Sequence, residues 1–77
     1  MPKLPRITGK DACKAFAKAG YEWHHTCGSH HILKHPINPN RLSIPVHAGE
    51  TVGLGLLKDQ IDKANMTVEQ FIELLNS

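Results

Sequence analysis

Residues 21–36, YEWHHTCGSHHILKHP, are the stretch on which the fold class turns. Tyr21, Trp23, His25 and Cys27 alternate with Glu22, His24 and Thr26, and a period of two with aromatic and β-branched content reads as a strand. Gly28-Ser29 is turn-forming, and HHILKH (residues 30–35) reads as a second strand folding back on the first as a hairpin. Pro36 stops it, because proline has no N–H to give to a ladder. A hairpin needs further elements to cover one of its faces, and the flanking sequence supplies them.

On the N-terminal side, Thr8 is a good N-cap with Asp11 three residues later, in the manner of a capping box. Ala12, Cys13, Phe16, Ala17 and Ala19 form an apolar stripe that Gly20 is placed to end, so a helix is predicted over residues 9–19. On the C-terminal side, INPN is a loop, and RLSIPVH (residues 41–47) alternates Leu42, Ile44 and Val46 with Ser43, Pro45 and His47. Pro45 favours an edge for this third strand. Leu54, Leu57, Ile61 and Ala64 fall at helical spacing, predicting a helix over 54–64 with Asn65 as a left-handed C-cap. Thr67 and Gln70 form a capping box that opens a short last helix bearing Val68, Phe71, Leu74 and Leu75.

The resulting order, α-β-β-β-α-α, predicts an α+β fold. It has an antiparallel three-stranded sheet, both main helices on one face, and the other face left open as in small nucleic-acid-binding domains. Phe16, Leu42, Ile44, Val46, Leu54, Leu57 and Ile61 are expected to be buried together.

Seventy-seven residues make one domain, and 40% hydrophobic with 21% charged residues is ordinary for a folded chain. No run of about 18 apolar residues exists to span a membrane. The N-terminal MPKLPRITGK has prolines where a signal peptide needs an apolar stretch, which points to the cytoplasm. There Cys13 and Cys27 read as free thiols, Cys13 packing in a helix as a small hydrophobe. The net charge of +2 is uneven. Lys3, Arg6, Lys10, Lys14 and Lys18 stand against Asp11 alone at the start of the chain. Lys58 and Lys63 face Glu50, Asp59, Asp62, Glu69 and Glu73 at its end. A basic front half suits a phosphate backbone, and two solvated helix faces of opposite sign explain the same charges equally well.

The six histidines are His24, His25, His30, His31, His35 and His47. Cys27-x₂-His30 and His31-x₃-His35 have spacings a metal accepts, but no second cysteine-bearing pair completes a structural zinc set, so zinc ranks below catalysis. His24, His25, His35 and His47 suit the solvated face of a sheet. His30 and His31 differ because they follow a glycine-serine turn, held by a strand yet near its exposed end. Imidazole titrates near neutral pH and is the commonest side chain for general acid–base work. The residues alone leave catalytic, metal and surface readings open.

Four segments in order, LPRITGKDACKAFAKAGY (4–21), GSHHILKHP (28–36), SIPVHAGETVGLGLLK (43–58) and MTVEQFIELL (66–75), resemble the HicA family of toxin ribonucleases. The most specific are Gly28-Ser29-His30-His31 with Lys34-His35-Pro36, then Ile44-Pro45-Val46-His47 with Gly55. The resemblance implies a fold like that of a double-stranded RNA-binding domain. It also implies an endoribonuclease that cleaves messenger RNA, inhibited by a HicB-type antitoxin. No cofactor or metal is implied, nor any contact with DNA or membrane.

The family's catalytic histidine follows the glycine-serine pair, which is His30 here, and His31 is the second candidate because some relatives carry it one place later. Gly28 and Ser29 would shape the turn that presents the imidazole. Alternation does not say which histidine points outward, since Ile32 and Leu33 are both apolar. Lys10, Lys14, Lys34 and Arg41 are candidates to hold phosphates by sign of charge. The chain departs from the family pattern at Leu56, where relatives usually have threonine, at Asp59 and Asp62 in a commonly basic helix, and at Asn65 in place of glycine. The alternatives are a non-catalytic RNA-binding module of the same fold and a zinc-binding interaction domain.

Overall fold

A computed structural model describes residues 4–77. Lys3, counted above with the basic front half, lies outside the described residues. The elements are α1 (Gly9–Lys18), β1 (Glu22–Cys27), β2 (His30–Lys34), β3 (Leu42–Pro45), α2 (Leu54–Lys63) and α3 (Val68–Asn76), an α+β fold in the anticipated order.

Local chemistry sets most of the boundaries. Thr8 caps α1, its Oγ1 accepting from the Asp11 backbone N–H at 3.2 Å. Gly20 follows at φ 101°, a conformation costly for a residue with a Cβ, and turns the chain into β1. Asn65 at φ 58° is the left-handed residue just past α2. Both bonds of the Thr67–Gln70 capping box are present, at 2.9 and 3.1 Å.

The sheet is antiparallel in the order β1-β2-β3, so β2 is central and β3 is an edge, as Pro45 suggested. In the register Leu33 faces Leu42 and His31 faces Ile44. Leu33, Leu42 and Ile44 are buried with Ala12, Ala15 and Phe16 of α1 and Leu57 and Ile61 of α2, which puts both helices on one face. The free edge of β3 is covered by a side chain: Gln60, only 3% exposed, accepts from the Ser43 N–H at 3.0 Å through Oε1. Pro45 lies two residues on, on the same outward side, where its missing N–H costs nothing.

Three expectations need correction. The alternation through β1 does not run unbroken, because the register slips between Trp23 and His25, a β-bulge at His24. Trp23 and Thr26 therefore share a face, the indole Nε1 donating to Thr26 Oγ1 at 3.1 Å. Tyr21 lies before the strand and is buried in the core.

Leu54 and Val46 are not among the fully buried residues: Leu54 is the first residue of α2 and 38% exposed, and Val46 lies past the end of β3 and is half-buried. Val52, Leu33, Tyr21 and Phe71 complete the core instead. Phe71 makes α3 part of that core, its ring 4.9 Å from that of Phe16. The Lys18 ammonium ties the two helices further by donating to the main-chain oxygens of Leu74 (3.0 Å) and Ser77.

Candidate functional site

The hairpin end is built by Gly28, whose φ of 60° makes the tight reversal into β2. Cys27 and His30 face each other across this turn as the last pair of β1 and β2. Both are exposed, whereas Ser29 is half-buried and its carbonyl accepts from the Val46 N–H at 2.8 Å, fixing the turn against the end of β3.

The strand period separates the two histidines that the sequence could not tell apart. His31 lies on the same face as Leu33, beside α1, and lines a groove with Lys10, Cys13, Lys14, Trp23 and Leu33. His30, one residue earlier, belongs to the opposite face with Ile32 and Lys34, the face no described helix covers.

The four candidate cations divide in the same way. Lys10 and Lys14 project from α1 into the groove beside His31. Lys34 and Arg41 lie close enough to His24 to act on its charge. Desolvation against its neighbours, and after it the positive charges of Lys34, His25 and Arg41, hold the His24 imidazole below its ordinary 6.5. His24 Nδ1 and His25 Nδ1 are 2.6 Å apart, a hydrogen bond that requires a proton on one ring nitrogen and a lone pair on the other.

His35 does not belong to a solvated face. Its ring packs against that of Tyr21, the centroids 4.9 Å apart and the planes tilted by 55°, and Nδ1 accepts from the N–H groups of Ile37 and Asn38, both at 3.1 Å. Two donors on Nδ1 leave the proton on Nε2, so His35 organises the loop after β2. The asparagines of INPN complete the loop. Asn38 Nδ2 donates to the Tyr21 hydroxyl (2.8 Å) and the Lys63 carbonyl (3.0 Å), and Asn40 Nδ2 to the same carbonyl (3.1 Å). An Asn-x-Asn repeat after a strand-ending proline was the available signal. His47 is exposed beyond β3.

On α2, Leu56 and Asp59 are exposed, and Asp62 accepts from Lys58 in an i,i+4 pair that satisfies one of the helix's own cations. Among the described residues no three His, Cys, Asp or Glu side chains converge as a metal would require. None of the described helices is long and apolar enough to cross a membrane.

A small α+β domain with one sheet face open, and a histidine on that face at a glycine turn, is the class these features define. Within it, the family model for the HicA toxin of bacterial toxin–antitoxin systems matches residues 9–66, well over half the chain, and the protein belongs to that family. The matched span runs from the start of α1 to just beyond α2 and leaves α3 outside. Comparison with curated proteins gives no match.

Proposed function

We propose that the protein is an endoribonuclease toxin that cuts messenger RNA in the cytoplasm, with His30 as general base and no metal, and that a HicB-type antitoxin neutralises it. The observation that carries this reading is the position of His30. It is exposed on the uncovered face of the sheet, two residues past the left-handed Gly28, on a strand whose next same-face cation is Lys34.

RNA brings its own nucleophile. The imidazole takes the proton of a 2′-hydroxyl, and the 2′-oxygen attacks the adjacent phosphorus. The bond from phosphorus to the 5′-oxygen breaks, and that oxygen takes a proton from solvent. The products are a 2′,3′-cyclic phosphate and a free 5′-hydroxyl. The step needs a positioned base and cations for the phosphate; Lys34 and Arg41 are on hand for the second role. An antitoxin that covers the hairpin end would block base and substrate together.

Replacing His30 with alanine should lower RNA cleavage about 10²- to 10⁴-fold, the usual contribution of a positioned acid–base group. Folding should survive because His30 is exposed. His31→Ala, on the other face, should retain the chemical step, His24→Ala is the surface control, and cleavage should persist in chelator. A folded double variant, His30→Ala with His31→Ala, that cuts at the wild-type rate would sink the assignment and leave an RNA-binding module.

A further inference from the structure

We infer that the groove between α1 and β1 seats one unpaired base of single-stranded RNA, stacked on Trp23, with a neighbouring phosphate held by Lys10 and Lys14. This rests on the ribonuclease reading and gives it a substrate subsite on the helix side of the hairpin.

Trp23 is the only tryptophan in the chain and stands 59% exposed on an edge strand, whereas Phe16, Tyr21 and Phe71 are all buried. Its one polar atom is already engaged with Thr26, which fixes the indole and leaves a ring face as its free recognition surface. Any base has a π-face to lay against such a ring, so a fixed aromatic is a stacking platform that tolerates sequence.

Around it the groove is apolar in its floor, Cys13, Ala17 and Leu33, and cationic on its α1 wall, Lys10 and Lys14, with no carboxylate in the lining. Neither lysine is in an ion pair among the described residues. Apolar floor, fixed aromatic and cationic wall match a base attached to a phosphate. At about 320 Å³ the groove is near the lower limit of small-ligand sites, which suits one base and not a duplex.

His31 adds a ring nitrogen in reach of a base edge. Trp23 pairs with Leu33, three residues along β2 from His30, or roughly 10 Å at strand rise. A single strand passing over the free edge at β1 can therefore present a phosphate to His30 and a nearby base to Trp23.

The sole tryptophan makes the test direct. A short mixed-sequence single-stranded RNA is titrated into His30→Ala protein, reading RNA anisotropy and intrinsic fluorescence together. Stacking predicts quenching that saturates with the anisotropy curve. It also predicts affinity about 5- to 150-fold weaker in Trp23→Ala and largely recovered in Trp23→Phe. Lys10→Glu with Lys14→Glu should weaken binding further and lower its salt dependence. Trp23 is exposed, so its replacement should leave the core intact, and circular dichroism checks that each variant is folded.

RNA bound with Trp23 unquenched, and bound as tightly by Trp23→Ala, overturns the subsite and leaves the ribonuclease reading intact. No anisotropy change at any concentration overturns both. Quenching that follows protein concentration without RNA assigns the groove to a second copy of the chain, and also overturns the subsite.

Discussion

Gly9→Ala sets two physical effects against each other, and the structure says which wins. Gly9 is the first residue of α1, so helix propensity alone favours alanine by up to about 1 kcal/mol. Against this, a Cβ built at Gly9 would lie 2.9 Å from the Val46 Cα and closer still to the Pro45 carbonyl oxygen. Ordinary contacts are about 3.5–4.0 Å, so α1 or the end of β3 must move by half an ångström or more. Both neighbours are backbone, one of them in a proline, and no rotamer change relieves the overlap. Overpacking of this kind costs about 1–3 kcal/mol, and the rigid neighbours place the cost toward the upper end. The net loss is about 1–2 kcal/mol, which lowers the melting temperature of a domain this size by about 5–15 °C. Thermal unfolding followed by far-UV circular dichroism, with wild type in parallel, measures it. A variant that melts at or above the wild-type temperature would show that propensity prevails and that α1 does not press on β3.

Other consequences follow from the two thiols and the histidine pair. Burial pushes the Cys13 thiol above its ordinary 9.0, whereas Cys27 is exposed at the hairpin end. Iodoacetamide should therefore label Cys27 first and Cys13 much more slowly, read by mass spectrometry, and a carboxamidomethyl group opposite His30 should reduce RNA cleavage; equal labelling rates would contradict the packing of α1. For His24, the folded state disfavours the charged ring relative to the unfolded chain. Its linked contribution to stability is thus intact above the ordinary 6.5 and is lost as pH falls from there toward the folded value. NMR titration should put its midpoint below 6.5, with Lys34→Gln and Arg41→Gln raising it; a midpoint at or above 6.5 in the wild type would refute the crowding.

The signals that were legible were those in which one residue dictates one local geometry. Thr8, Gly20, Asn65 and the Thr67–Gln70 pair cap or end helices where their side chains or permitted φ angles require it. Leu42 and Ile44 are buried on the face that period two predicts. What could not be read depends on partners distant in sequence. Gln60 is buried because the Ser43 N–H at the edge of β3 needs an acceptor, a demand set by tertiary docking of α2. His35 is structural because Tyr21 and the turn after Pro36 enclose it. Leu54 matches the apolar stripe of α2 but is its first residue, where it stays exposed.

The bulge at His24 decides how the hairpin divides its chemistry between the two faces. Without the extra residue, strict alternation from Trp23 would carry His25 and Cys27 to the helix side and leave Thr26 on the open side. The Trp23–Thr26 bond could not then form, and the indole would lose the contact that fixes it. One additional residue reverses the assignment. Thr26 comes to the helix side opposite His31, beside the groove that the lysines of α1 line, while Cys27 goes to the open side opposite His30. The bulge also leaves β1 with one residue unpaired at the sheet edge, and His24 occupies that position against His25, Lys34 and Arg41. A bulged, histidine-rich edge discourages pairing with another strand. The HHTC run of β1 thus serves the hairpin as a spacer: its length, through the bulge, sets which β1 side chain stands opposite each of His30 and His31.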